Sequence, residues 1–470
     1  MSRRPNCHCG SRSLRDKLRE AISYAKLNWE LRLLRRFASR NDIIKVFCKS
    51  FILIITFFAT PLQLWSQDLD YRLSIVDEGT LNSINMDTPI NYDNSILPQP
   101  YRGNIGTSNL SLGVGGFSML LNLSASTDNL SSPSYTGSLR ECAFDYSVSD
   151  AVDITVGKKI LKWGTGYAFN PTGVVEPQRS PSDPSDRLGQ NEGSNLASID
   201  FFVGKSSLTL VYVNDSNIES WKWQSGPQEF AMRAYTFLSG LDLSLVGHYM
   251  EGDRLELGTN WSYVIGNNLE LHGEFLGKQG SSMLYHQAIA TDSDQQIYSS
   301  YPYTEMYDGS KEIFYKFLVG GQFTFDGGVN IAIEFYRNTE GLSTTQWNRW
   351  LNFVKFQNDI QRGLIPISPE LIGPSRSNLL WALETLSPRG AMQDYLFGRE
   401  YWGIDSWGIE LIEFMNAQDV SAVIIPTVSF KISDNFSTYG RLTVFTGSND
   451  SEFGALFWKT TFNLGIQVQL

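Results

Sequence analysis

Residues 255–275 read Leu255-Glu256-Leu257-Gly258-Thr259-Asn260-Trp261-Ser262-Tyr263-Val264-Ile265, then Gly266-Asn267-Asn268, then Leu269-Glu270-Leu271-His272-Gly273-Glu274-Phe275. Large apolar side chains take nearly every second position, and small, polar or charged ones fall between them. A β-strand sends successive side chains to opposite faces, so this period of two describes two strands with one apolar and one polar face. Gly-Asn-Asn between them supplies the backbone freedom of a tight hairpin.

The unit recurs in both directions. Cys142, Phe144, Tyr146 and Val148 alternate with Glu141, Ala143, Asp145 and Ser147, and after Ser149-Asp150-Ala151 the pattern resumes with Val152, Ile154 and Val156. Further tight turns are expected at Gly204-Lys205-Ser206-Ser207, Ser239-Gly240, Asp326-Gly327-Gly328 and Ser433-Asp434-Asn435. The other connections are mostly long, at about 125–139, 163–198, 214–229, 278–310 and 339–389. Short turns on one side and long loops on the other suit an outer-membrane barrel, with turns in the periplasm and loops outside the cell. Backbone groups in hydrocarbon must all be paired, so strands cross a membrane only as a closed barrel.

The expected fold is therefore all-β, a transmembrane antiparallel β-barrel of about sixteen strands over residues 107–470. In this count 108–124 is one strand. Fourteen strands is the alternative, if 390–401 and 407–415 belong to the preceding loop. A polar, Pro-containing segment, 67–106, is expected to lie in the periplasm ahead of the barrel.

Composition agrees. Of 470 residues only 19% are charged while 13% are aromatic, with 28 Phe, 21 Tyr and 12 Trp, which argues against disorder, a coiled coil or a disulfide scaffold. Mean hydropathy is −0.20, and no apolar run reaches the 18 or so residues of a membrane helix. Alternating strands hide their membrane character in such an average.

Residues 1–66 carry 13 Lys and Arg against 4 Asp and Glu, whereas the rest holds 25 against 45. The basic part ends in an apolar run from Phe51 to Thr60, then Pro61 and Leu64-Trp65-Ser66-Gln67, which reads as a signal peptide cleaved near Ser66/Gln67. A misplaced start codon, an extended signal region and a basic amphipathic helix all fit residues 1–43. Cys7, Cys9 and Cys48 lie in this leader, so the mature chain keeps Cys142 alone and no internal disulfide. Cys7-His8-Cys9 lacks the second ligand pair of a zinc site.

The polar face is expected to line the lumen. Asp242, Ser244 and His248, then Glu270, His272 and Glu274, with Arg233 and Arg441, all fall opposite the large apolar residues. Glu141, Asp145, Asp153 and Glu256 add to an acidic wall, and a pore ringed by carboxylates favours cations or neutral solutes. Arg337, Arg349, Arg362, Arg376, Arg389 and Arg399 gather in and around the longest loop. If it folds inward, they build a mixed-charge constriction. Helices are expected over 345–361 and 378–386, either as a lumen plug or as an extracellular cap.

Trp163-Gly164-Thr165-Gly166-Tyr167-Ala168-Phe169-Asn170-Pro171, followed by Pro177, Pro181 and Asp183-Pro184, resembles the tryptophan-glycine to asparagine-proline segment of porin-like barrels of the alginate-export and carbohydrate-type group. Asn416 to Ser421 with Asp419, Pro426, and Ser451-Glu452-Phe453-Gly454 resemble the same group. The resemblance implies a porin-like channel. Trp163 and Tyr167 then belong to the aromatic girdle of a loop stiffened by proline, or the loop lines the mouth and selects solutes. The last segment, Phe462 to Leu470, resembles the strand signal read by barrel-assembly machinery, although such signals usually end in Phe or Trp.

Other chemistries are weakly supported. Glu270, His272 and Glu274 share one face of one strand, where they converge poorly on a metal without a ligand from a neighbour. The histidines beyond the leader are His248, His272 and His286, and neither strand histidine has a serine two residues beyond it on its face for nucleophilic catalysis. Gly113-Val114-Gly115-Gly116 and Gly164-Thr165-Gly166 precede no helix, so no nucleotide fingerprint is present, and net acidity opposes nucleic acid. The expectation is an outer-membrane channel for passive diffusion of small solutes, without enzymatic activity, cofactor or metal. Its expected partners are outer-membrane lipid, the assembly machinery during insertion, and the solutes. The rival is a barrel scaffold for secretion or surface assembly without an open channel.

Overall fold

The computed structural model describes residues 69–470 except 215–216, 220–221, 225–226, 252–253, 282–311, 383–385 and 387–389. The leader with its cleavage junction, and most of the 278–310 connection with His286, lie outside the described residues.

The strands are β1 (Leu69–Ile84), β2 (Arg102–Val114), β3 (Phe117–Asp128), β4 (Ser134–Ser149), β5 (Val152–Lys159), β6 (Ser194–Val203), β7 (Ser206–Asn214), β8 (Asn217–Glu219), β9 (Lys222–Gln224), β10 (Gln228–Leu238), β11 (Leu241–Met250), β12 (Arg254–Ile265), β13 (Leu269–Gln279), β14 (Ile313–Thr324), β15 (Val329–Asn338), β16 (Asp394–Ile404), β17 (Trp407–Asn416), β18 (Ala422–Ser433), β19 (Phe436–Thr446) and β20 (Trp458–Gln469). Eighteen of them form one sheet in which each pairs with the next, β7 passing directly to β10. β20 returns to pair antiparallel with β1, Ser74 opposite Gln469 and Leu81 opposite Phe462, and the barrel closes. β8 and β9 form a separate hairpin at the end that carries the long loops.

Among the described residues the barrel thus has eighteen strands, and neither sixteen nor fourteen. Two features account for the difference. First, β1 lies within the segment read as preceding the barrel. Asp70, Arg72, Asp77, Glu78 and Asn82 mask its alternation, and its place in the sheet is set by β20, almost 400 residues away. Second, 108–124 is a hairpin with its turn at Gly115-Gly116. Gly115 has φ +55°, and a Cβ on Gly116 would run into the Asp145 carbonyl, so the turn needs both glycines. β16 and β17 are wall strands, which removes the fourteen-strand alternative.

Across the sheet the phase follows the sequence. Leu257 is 57% exposed, Phe144, Tyr146, Phe275, Phe462 and Leu464 are exposed too, and their neighbours Ala143, Glu274 and Asn463 are buried inside. The rule reverses on β16 to β18. Inward Tyr395, Phe397, Ile412, Phe414, Val423 and Ile425 are apolar or aromatic and buried, while Glu400 and Glu413 are exposed on the outer face. The inward residues meet apolar residues of two long connections, so this side of the lumen is a packed core.

The first connection is 160–193, between β5 and β6. The second is 339–393, between β15 and β16, which contains α1 (Thr344–Gln361) and α2 (Ile372–Ala382). A capping box starts α1: Ser343 accepts from the Gln346 N–H and Gln346 reaches back to the Ser343 N–H. Trp347, Trp350, Leu351 and Val354 bury one face of α1 against Ile90, Ile96, Phe453 and Ala455 from the neighbouring long loops. The second expected helix begins at 372 rather than 378 and joins α1 as an antiparallel pair.

Candidate functional site

The 160–193 connection folds into the barrel as a strap. Its motif residues donate backbone N–H groups to two carboxylates on the opposite wall. Glu274 of β13 accepts from Thr165 N–H (2.6 Å) and Gly166 N–H (2.8 Å) on one oxygen, and from Thr172 N–H (2.8 Å) and the Thr172 hydroxyl (2.7 Å) on the other. Glu334 of β15 accepts from Tyr167 N–H and from Ala168 N–H (2.9 Å), and lies 2.9 Å from His272 Nε2. At Glu274 and Glu334, which are 2% and 0% exposed, water does not reach the strap's N–H groups, so the fixed carboxylates take them, and charge makes those hydrogen bonds strong.

The motif's residue types follow from this seat. A Cβ on Gly166 would strike the Phe169 carbonyl and the Leu318 side chain. Phe169 stacks on Tyr336 with ring centroids 4.2 Å apart, and Trp163 is buried with Val175 against inward Val211, Val213, Ala231 and Val246. Trp163 is therefore a lumenal anchor and does not belong to an outer girdle. Asn170 ties the turn, donating to the Pro177 carbonyl (3.0 Å) and accepting from Arg179 N–H (2.9 Å), with Pro171 buried beside it. Asp183 accepts from Arg187 N–H.

Farther along, Arg187 pairs with Glu78 of β1 and donates to the Tyr439 hydroxyl, which donates to Glu78 at 2.6 Å. Three strands from β1, the strap is held again at a β-bulge in β4. There the register slips, Leu120 facing Glu141 and Leu121 facing Leu139, so that consecutive residues both serve the strap. Arg140 binds Asp186 (2.6 Å) and the Asn191 carbonyl (2.7 Å), and Glu141 accepts from Ile160 N–H (2.9 Å).

A chain of alternating charge runs along the inner wall toward the long-loop end. His248 lies 3.0 Å from both Glu229 and Glu256, Lys278 bridges Glu256 (3.3 Å) and Glu340 (3.4 Å), and Lys316 binds Glu340 at 3.0 Å. Nearer the short turns, Arg233 donates to Ser244 (2.9 Å) beside the Tyr235–Asp242 bond, Gln322 donates to Glu270 (2.7 Å), and Arg399 binds Glu410 (2.7 Å) and stacks over Tyr167. Asp153 and Asp200 sit directly opposite each other in the ladder.

Arg233, Asp242, His248, Glu270, His272, Glu274 and Arg399 lie on the strand face opposite the exposed apolar residues. Glu270, His272 and Glu274 do not share a ligand: each holds a different partner. Arg399 belongs to β16 rather than to the loop. Several residues central to this network went unrecognised in the sequence. Glu334 could have been found, since Asn330, Ala332 and Glu334 alternate with Ile331, Ile333 and Phe335. Glu78, Lys278, Lys316 and Arg187 carry no local signal, because their roles depend on which distant strand or loop faces them.

At the long-loop end, two motif pieces 30 residues apart in sequence meet. Glu452 N–H donates to Asp419 (2.7 Å), Phe453 N–H to the Ser421 hydroxyl (3.2 Å), and the Asn416 amide to Glu452 (2.7 Å). Glu452 also accepts from Ala391 N–H and the Tyr395 hydroxyl. Burial raises the Glu452 carboxyl to about 7, reinforced by the Asp419 charge and opposed by its hydrogen-bond donors.

No family model and no curated protein sequence matches the chain. Solved structures do. A BenF-like porin from Pseudomonas fluorescens Pf-5 superposes over 86% of this chain and 99% of its own, at 10% identity and a TM-score of 0.50. This chain has a porin fold. Pseudomonas aeruginosa OccK11 (TM-score 0.48, 9% identity) and Acinetobacter baumannii OccAB1 (TM-score 0.47, 9% identity) each match over 86% of this chain and 96% of their own.

Proposed function

We propose that the porin-fold barrel lies in a bacterial outer membrane, short turns in the periplasm and long loops outside, and conducts small solutes by passive diffusion past the strap. The observation that carries this reading is a closed barrel, apolar outside along most of its wall, whose interior bears charged side chains and a polar strap secured to three sides. Near the short turns, carboxylates of Asp145, Asp153, Asp200, Asp242, Glu270 and Glu410 outnumber Lys159, Arg233 and Arg399, which favours cations or neutral solutes over anions.

Purified protein in planar bilayers tests it: stable open-channel currents, with a reversal potential in a salt gradient that marks cation preference, are expected. A tight electrical seal overturns the reading. The packed core between β16–β18 and the two connections favours one rival, a plugged barrel that serves as a scaffold for surface assembly. A seal together with a stoichiometric co-purifying protein supports that rival.

A further inference from the structure

We propose that the outer face of β16 and β17 is covered in the membrane by another protein, which sets a lysine or arginine between Glu400 and Glu413. This rests on the membrane placement proposed above and is independent of whether the barrel conducts.

These two strands break the rule that most of the wall keeps. Trp402 and Trp407, exposed on the outer face beside the short 405–406 turn, mark the periplasmic edge of the apolar band. Along β16, Glu400 stands two residues beyond Trp402, and along β17, Glu413 stands six beyond Trp407. With a rise of about 3.4 Å per residue and a strand tilt of about 40°, Glu413 lies about 15 Å above that edge, inside an apolar band about 25 Å tall. Both glutamates are exposed, and neither makes an ion pair or hydrogen bond with a described residue. Lysine and arginine near strand ends reach the interface along their long stems; a glutamate at this depth does not.

The surroundings of the two carboxylates are apolar. In the ladder Glu400 stands between Ile331 of β15 and Leu411 of β17, and Glu413 between Gly398 of β16 and Ile424 of β18. Lipid tails over this face would leave both charges without water or counter-charge, which is why ionisable residues within a membrane are rare and turn toward a partner. Gly398 shapes the space between them. It lies two residues from Glu400 on the same face and directly opposite Glu413, and a Cβ built on it would meet only Glu413, at 3.9 Å from its Cβ and 4.0 Å from its Oε2. The wall therefore has a notch, open outward and flanked by two carboxylates, that complements one ammonium or guanidinium group. The occupant is a different chain, because two copies joined symmetrically through this face would bring four carboxylates together. An apolar segment with one cation at the matching depth suits both the glutamates and the exposed Leu396 and Ile409 beside them.

The test is photo-crosslinking in the native cells, with p-benzoylphenylalanine in place of Leu411 on this face or, as a reference, in place of Leu257 on β12. Leu411 is expected to give one discrete protein adduct whose linked peptide is apolar with a single lysine or arginine, while Leu257 gives lipid adducts. Combining Glu400→Gln with Glu413→Gln should lower the Leu411 adduct about tenfold. Lipid adducts alone at Leu411, an adduct to a second copy, a linked peptide without a cation, or an adduct indifferent to the two substitutions overturns the proposal. Lipid adducts at both positions overturn this face alone; a Leu257 without lipid adducts overturns the membrane placement and this face with it. Folding in lipid alone gives a second reading that needs no partner. Glu400→Leu with Glu413→Leu should raise the ratio of folded to unfolded barrel about tenfold, since both carboxylates then face hydrocarbon, and an unchanged or lower ratio overturns the proposal.

Discussion

Replacing Glu274 by alanine removes the acceptor for three strap N–H groups, those of Thr165, Gly166 and Thr172, and for the Thr172 hydroxyl. Each buried N–H left without an acceptor costs about 1–3 kcal/mol, so the seated strap loses about 3–9 kcal/mol unless it relaxes. Even the lower figure shifts the ratio of seated to displaced strap more than a hundredfold, since about 1.4 kcal/mol is tenfold. Glu274→Gln keeps one acceptor oxygen for Thr165 and Gly166 and strands only the Thr172 donors, so an intermediate effect is expected. Trypsin reads the outcome, because Lys162, Arg179 and Arg187 all lie on the strap. The unaltered barrel should resist cleavage there, and Glu274→Ala should be cut rapidly while its strands stay intact and single-channel conductance rises. Equal protection of the strap in folded Glu274→Ala and in the unaltered protein refutes the argument that this carboxylate seats it.

Leu257→Arg puts a cation on the exposed outer face and should weaken insertion by about 2–4 kcal/mol at mid-bilayer depth, read from folding titrations in lipid; Leu271→Arg on the same face should act similarly, and unchanged yields would contradict the assigned phase. Deleting 67–100 removes β1 and leaves β2 and β20 with open edges, so no heat-modifiable folded band should form on gels, whereas a barrel that truly began near 107 would fold normally. Glu340→Ala takes a buried carboxylate from half-buried Lys316 and should lower stability in urea by about 3–5 kcal/mol; a change below about 1 kcal/mol would show that the lysine finds another acceptor.

The strand phase was readable wherever one face meets lipid. Leu255 to Phe275 and Phe462 to Leu470 show it directly, because hydrocarbon on one side and water on the other impose an alternation that each strand carries within itself. β1 escaped because several of its polar residues answer to partners elsewhere: Glu78 to Arg187, Tyr439 and Asn463, and Asn82 to Thr461. The reversal on β16 to β18 was invisible for a related reason. A lumen wall is expected to be polar only if water faces it, and here Phe169 and Phe453 do.

Local chemistry is enough to make amphipathic strands joined by short turns at one end and long connections at the other, since period two and Gly, Asn and Asp at turns act within a few residues. Long-range packing sets the rest: eighteen strands close through β1 and β20, Glu274 and Glu334 hold the strap's N–H groups, and Glu452 joins two loops to a helical insertion. Those outcomes depend on pairing between residues from 33 to almost 400 positions apart, and a carboxylate at one position bears no mark of the donor that folding will bring to it.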